Sequence, residues 1–165
     1  MLTLPEIVDR PERPYAYIGF TITMNQMQKP AKEGFPALFA HLGQQAIRPV
    51  GAAFYNYRRI DMANTLDVEA GVAVARGGTD SDDVSFGMLP AGRYLTVTWH
   101  GHPDKLHDVT ALLIGWVKER GHLLDVAERA DGDHFACRLE IYESDPEEEP
   151  DMDKWVTVLE FKLKD

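Results

Sequence analysis

A strand–helix–strand–strand order of hydrophobic patterns occurs twice along this chain of 165 residues. In the first copy, residues 15–23 alternate between two sets of side chains as a strand does, and residues 33–45 carry apolar residues at helical spacing. Two further strand patterns follow at 50–57 and 66–74. Because such a unit leaves one face of its sheet uncovered, we expect two units to pack side by side.

The second copy repeats this order with a strand at 93–100, a helix at 102–121, and strands at 134–142 and 154–163. The pattern predicts an α+β fold in which duplicated β-α-β-β units form one pseudo-two-fold domain with a central ligand cleft. The expected division of residues 1–165 is repeat 1 at about 14–75, a linker at about 76–90 and repeat 2 at about 91–164.

Charge and composition exclude several classes of protein. The net charge of −10 opposes direct binding to nucleic acid, which needs a basic surface. No apolar stretch reaches the roughly 20 residues that cross a membrane, and the N-terminus lacks the apolar segment of a signal peptide. We therefore expect a stand-alone cytoplasmic domain, with residues 1–14 as an extended lead-in interrupted by prolines. The single cysteine, Cys137, is expected to be buried and inert.

The strand at 134–142 presents the main candidate site. Side chains alternate across a strand, so Glu140 and Tyr142 share one face, which we expect to border the groove, while Cys137 and its face pack under the helices. A carboxylate in an aromatic cleft suits a ligand cation. From spacing alone a second interpretation stays open, in which Glu140 is exposed to solvent or paired with Arg138.

Other candidates come from the remaining strands. Three histidines, His100, His102 and His107, lie close together, but no fourth ligand accompanies them, so we predict no metal site and no cofactor.

The predicted cleft contains aromatic and acidic side chains from both copies, and Tyr57 lies beside them. Its predicted ligand-binding residues are Glu140, Tyr142, Glu69, Tyr55, Tyr17 and Tyr94.

The segment LEIYESDPEEEPDMDKWVTVLEF (139–161) resembles the C-terminal signature of the GyrI-like small-molecule-binding family. That family includes the effector-binding domains of bacterial multidrug-responsive transcription regulators. Residues 89–121, with the AGRY and GW elements, and residues 52–74 are similar to its other signature segments. The first half lacks the family's usual turn proline after Tyr55.

This resemblance implies a duplicated βαββ fold whose cleft holds lipophilic, cationic ligands on an acidic residue. Glu140 and Tyr142 fall on the family's E-x-Y pair, and Glu69 falls on the acid in the last strand of the first repeat. The leading hypothesis is a sensor or sequestering protein for such a ligand. One alternative is a hydrolase of reactive small molecules, with Glu140 as acid or base and Tyr142 as hydrogen-bond donor. Another is a module that binds a protein partner, such as a toxin.

Overall fold

Ten strands form one antiparallel sheet and two helices accompany it, which confirms the predicted α+β class. The computed structural model describes residues 1–165. The helices are α1 (Phe35–Gln44), preceded by a π-helical turn at Pro30–Gly34, and α2 (Leu106–Glu119). The strands are β1 (Glu6–Arg10), β2 (Arg13–Ile22), β3 (Phe54–Ile60), β4 (Leu66–Ala73), β5 (Ser85–Leu89), β6 (Gly92–His100), β7 (Val126–Arg129), β8 (Gly132–Phe135), β9 (Arg138–Tyr142) and β10 (Val156–Lys162).

The sheet order places the two predicted copies side by side. It runs β1-β6-β10-β9-β3-β4-β2-β5, and the hairpin β7–β8 attaches to β3. The three strands of the first copy therefore occur as β3-β4-β2 and those of the second as β9-β10-β6. The second strands of the copies, β3 and β9, pair at the centre of the sheet. Duplication and a pseudo-two-fold axis stay predictions.

Two short links make the sheet curl. Strand β1 lies at one end of the strand order and β2 near the other end, yet only Pro11 and Glu12 separate them. Likewise, only Pro90 and Ala91 separate β5, at one end, from β6, near the other. A link of two residues spans only about 10 Å, so the two ends of the sheet have to approach each other.

Both helices pack on the outer, convex face of this curl. Helix α1 covers β2 and β4, where Ala16, Ile18 and Val72 form a buried cluster with Leu38 and Leu42 of the helix. Helix α2 covers β6 and β10 in the same way. Its cluster contains Leu95, Val97, Val109, Leu113, Leu159 and Phe161. The central strands β3 and β9 thus lie between the two helices. No helix of the structure has the length and apolar character needed to cross a membrane.

The inner face holds a second core without helices. Leu139 and Cys137 pack there against aromatic side chains such as Tyr94, all of them buried. Burial raises the pKa of the Cys137 thiol to about 11, which confirms the expected buried cysteine. The alternation predicted for 134–142 is correct, but the assignment of its faces is wrong. Cys137 and Leu139 turn away from the helices, and Glu140 lies on the helix-bearing face because it pairs with Leu159 of the α2 cluster.

The structure corrects several predicted boundaries. The predicted linker 76–90 contains strand β5, and the predicted lead-in 1–14 contains strand β1. Both are outer strands of the sheet, where flanking prolines are tolerated. Strand β3 extends to Ile60 since Arg59 pairs with Asp67 of β4 at 2.8 Å. The predicted strand 134–142 is divided into β8 and β9 around Ala136 and Cys137.

Candidate functional site

The helix-bearing face of β3 and β9 carries a group of aromatic side chains around one acid. Strand pairing sets Tyr55 opposite Glu140, so both side chains lie on the helix-bearing face. The ring of Phe35, at the start of α1, lies against the rings of Tyr55 and Tyr142. We call this site the central cleft, and its residues are Glu140, Tyr142, Tyr55, Tyr57 and Phe35.

Two tyrosine hydroxyls hold the Glu140 carboxylate. Tyr142 donates a hydrogen bond of 2.6 Å to Oε1, and Tyr57 donates a longer one of 3.4 Å to Oε2. Glu140 and Tyr142 are partly buried, whereas Tyr57 is buried. Burial raises the pKa of Glu140, and the tyrosine hydrogen bonds oppose that shift only in part. For the same reason the pKa values of Tyr57 and Tyr142 lie well above their usual range, so both hydroxyls stay donors.

Tyr55 connects the cleft to the chain segment before α1. Its ring stands edge-on to that of Tyr142, with 5.2 Å between centroids, and lies 5.9 Å from that of Phe35. Its hydroxyl donates to the Met27 carbonyl at 2.7 Å and accepts from the Ala31 amide at 2.9 Å. This bridge fixes the irregular turn that leads into α1 and keeps Met27 and Ala31 against the aromatic cluster.

A second acid lies on the opposite, inner face of the sheet. Glu69 accepts hydrogen bonds from the Tyr15 hydroxyl at 2.7 Å and from the Asn56 amide at 3.0 Å. The rings of Tyr15 and Tyr17 stack with centroids 4.9 Å apart. Burial raises the pKa of Glu69. Tyr94 is fully buried on the same face and donates to the Pro90 carbonyl at 2.7 Å.

The six predicted ligand-binding residues therefore fall into two groups of three. Glu140, Tyr142 and Tyr55 share the central cleft. Glu69, Tyr17 and Tyr94 lie on the other side of the sheet, so the prediction of one cleft for all six is wrong. The pairing of Asn56 with both Glu69 and Leu139 puts Glu69 on the face opposite Glu140, because paired residues share a face.

The sequence patterns did not reveal the contribution of Phe35 to the central cleft or the surroundings of Arg138. Phe35 belongs to the apolar helical pattern predicted for 33–45, and its ring faces Tyr55 and Tyr142. Arg138 was considered only as a partner of Glu140, and the structure contains no ion pair between them. The signal for Arg138 was present in the strand alternation, which places it on the Glu140 face.

One of the histidines near residue 100, His102, has a local role in the structure. The His102 ring nitrogen Nδ1 accepts a hydrogen bond of 3.1 Å from the Asp104 amide. It thereby caps the 3₁₀ turn Pro103–Lys105 that leads into α2. This contact accounts for a histidine at the junction of strand and helix.

The raised pKa of Glu140 predicts a specific effect of pH on stability. Folding favours the protonated carboxyl, so this contribution is complete below the unfolded-state pKa of about 4.5 and is lost as pH rises through the raised native pKa. The quantity to follow is the free energy of unfolding of the native protein minus that of Glu140→Gln. This difference should fall as pH rises above about 4.5 and then level off. Urea unfolding of both proteins across this range measures the difference. A difference independent of pH contradicts the raised pKa.

Comparison with known proteins identifies one matching family and several structures of similar fold. The profile of the GyrI-like small molecule binding domain matches residues 4–159. No curated protein matches the chain in sequence. Among solved structures, the C-terminal domain of EcmrR is 20% identical with a TM-score of 0.74, and the match covers 98% of this chain and 97% of that domain. In an EcmrR–DNA complex the TM-score is 0.81 at 20% identity, and the match covers 98% of this chain but 57% of the EcmrR chain.

Two more distant structures share the fold. A hydrolase from Listeria innocua is 14% identical with a TM-score of 0.64, and the match covers 97% of this chain and 91% of that one. SAV2435, solved with bound tetraphenylphosphonium, is 10% identical with a TM-score of 0.59, and the match covers 98% and 94% of the two chains. At these identities the similarity establishes the fold.

Proposed function

Because this chain belongs to the GyrI-like small-molecule-binding domain family, we propose that it binds a lipophilic organic cation in the central cleft, with Glu140 as the counter-charge. The observation that carries the proposal is the environment of that carboxylate. Glu140 is partly buried among aromatic rings, and none of the ion pairs in the structure involves it. A carboxylate in such a place gains from an external cation.

The aromatic lining supplies the rest of the recognition. Ring faces attract cations through their quadrupole, and a desolvated site strengthens this attraction to about 2 kcal/mol. Tyr142 and Phe35, which are only partly buried, also offer apolar surface to a hydrophobic ligand body. The two hydroxyls on Glu140 orient the carboxylate in advance, which reduces the cost of ordering the site on binding. SAV2435, which has the same fold, was solved with a lipophilic cation bound.

The proposal predicts discrimination between two ions of equal shape. Tetraphenylphosphonium should bind the native protein and raise its melting temperature. Tetraphenylborate, which has the same four phenyl groups around a negative centre, should not bind measurably, because the Glu140 carboxylate repels it. Thermal-shift assays and isothermal titration at matched ionic strength measure both affinities.

The outcome separates charge recognition from simple hydrophobic binding. Equal binding of the two ions contradicts a role for the acid and leaves only a hydrophobic surface. Absence of binding by either ion contradicts the central cleft as a site for lipophilic ions. In that case a ligand-independent complex with a protein partner, sought by co-purification, becomes the better hypothesis.

One contact favours an enzymatic alternative. The 2.6 Å hydrogen bond between the Tyr142 hydroxyl and Glu140 places a donor beside a carboxyl whose pKa is raised. Such a pair can protonate a leaving group or deprotonate an attacking water, so it suits hydrolysis of a reactive electrophile. The Listeria innocua protein of the same fold is described as a hydrolase. Turnover of a strained electrophile that is lost in Tyr142→Phe distinguishes this hypothesis from binding alone.

The biological role that follows from binding is that of a sensor or a sequestering protein. EcmrR, a protein of the same fold, was solved in complex with DNA, whereas the net charge of this chain is −10. We therefore propose that any effect on transcription is indirect and passes through the liganded domain.

A further inference from the structure

Arg138 lies two residues before Glu140 on the same face of β9, where three aromatic rings surround its side chain. Its guanidinium carbon is 4.9 Å from the ring centroids of Phe135 and Phe161 and 5.6 Å from that of Tyr57. Arg138 pairs with Phe161 of β10 across the sheet, which fixes it on the helix-bearing face. The rings hold the guanidinium through cation–π contacts, which leave its N–H groups free to donate.

No group in the protein accepts a hydrogen bond from this side chain. Arg138 takes part in no ion pair, and its Nε is buried without a partner. Arg59, by contrast, bonds to Asp67, Thr65 and the Asp131 carbonyl. A buried donor without a partner destabilises the folded protein, and more so when the group is charged. An arginine with five free donors beside the proposed ligand cleft is therefore ready to receive an acceptor.

We propose that Arg138 is a second recognition group of the central cleft and binds an oxyanion of the ligand. This inference rests on the proposed function and narrows the ligand class to dipolar molecules. Such a ligand carries a lipophilic body, a cationic group for Glu140 and a carboxylate or similar oxyanion for Arg138. Residues two apart on a strand are separated by about 7 Å, which sets the scale for the distance between the two charges. A guanidinium binds a carboxylate through two parallel hydrogen bonds, which adds geometric selectivity to the charge.

A pair of dyes that differ in one group tests the proposal. Rhodamine B carries a free carboxylate beside its cationic ring system, and its ethyl ester keeps the cation but loses the anion. The native protein should bind rhodamine B about 10-fold more tightly than the ester, which is the effect of one charge-assisted hydrogen-bonded contact. Fluorescence anisotropy titrations measure both affinities.

Variants assign this preference to Arg138. In Arg138→Gln the preference for the acid should disappear, because Glu140 then repels the dye carboxylate without compensation. Arg138→Lys keeps the charge but not the planar fork and should give an intermediate ratio. Arg129→Gln, an exposed position on β7, is the control and should keep the native ratio. Circular dichroism spectra and melting curves establish that each variant is folded.

The two proposals fail in different ways. If the native protein binds the ester as tightly as rhodamine B, or more tightly, the role of Arg138 is wrong while cation binding stands. If Arg138→Gln lowers the melting temperature but keeps the native ratio, Arg138 is only a packing residue. Binding of neither dye, nor of tetraphenylphosphonium, contradicts the proposed function itself. The ratio in the native protein decides the matter even if a variant does not fold.

Discussion

Replacing Glu140 with Gln should remove most of the stabilisation that tetraphenylphosphonium gives to the native protein. At a concentration of about 100 times its dissociation constant, a ligand stabilises the native state by about 2.7 kcal/mol. For a chain of this size that raises the melting temperature by roughly 5–10 °C. Gln has the shape of Glu and can still accept the Tyr142 hydrogen bond, so the substitution removes the charge and little else.

The expected loss follows from the environment of the charge. Removal of one partner from a desolvated charge pair costs about 2–5 kcal/mol, so we expect binding about 100-fold weaker. The same ligand concentration then stabilises the variant by only about 0.4 kcal/mol, or roughly 1 °C. Thermal shift at a fixed tetraphenylphosphonium concentration measures the effect, and isothermal titration gives the affinity directly.

The control is the neighbouring acid Glu143, which is exposed and has the same chemistry. Glu143→Gln changes the net charge by the same amount as Glu140→Gln but should leave the thermal shift at its native size. If both variants lose the shift equally, the net charge attracts the ligand and no specific carboxylate does. If neither variant loses it, Glu140 is not the counter-charge.

Replacing Glu160 with Gln should destabilise the fold by about 3 kcal/mol, because this buried carboxylate ties the two ends of the curled sheet together. Its Oε1 accepts a 2.7 Å bond from Arg10 at the end of β1, and its Oε2 lies 3.6 Å from Arg13 at the start of β2. The Glu160 side chain is 5% exposed. Neutralising it leaves both guanidinium groups without a counter-charge in a partly desolvated site.

The size of this effect takes the exposure of the arginines into account. Breaking a fully buried pair costs about 3–5 kcal/mol. Arg10 and Arg13 are 36% and 29% exposed, so water compensates part of the loss and the lower limit applies. Urea unfolding of the native protein, Glu160→Gln and the exposed control Glu128→Gln measures the difference. A Glu160 effect within about 0.5 kcal/mol of the control shows that the ion pairs do not hold the sheet ends together.

Local patterns predicted most of the elements. The alternation of β2 separates Ala16 and Ile18 from Tyr15 and Tyr17, and in the structure these two pairs lie on opposite faces. Strand β5 was missed because its residues follow a loop-like segment and give no clear alternation. Its strand conformation depends on hydrogen bonds to β2, which are distant in sequence.

The candidate site could be predicted only in part. The spacing of Glu140 and Tyr142 put both on one face, and their hydrogen bond agrees with that. An alternating pattern defines the two faces of each strand, but it does not show how the faces of neighbouring strands correspond. The prediction therefore placed Glu69 in the same cleft as Glu140. The correspondence depends on strand pairing, here through Asn56, and pairing is a long-range property.

The sequence by itself determined the order of strands and helices within the two predicted copies, the two faces of each predicted strand and the placement of Glu140 and Tyr142 on one face. These features depend on backbone periodicity, which acts over a few residues. Only the tertiary structure decided which face the helices cover, that Glu69 and Glu140 lie on opposite sides of the sheet, and that Arg138 has no partner. Each of these depends on the register between strands distant in sequence and on the two-residue links that curl the sheet, and no local pattern encodes either of them.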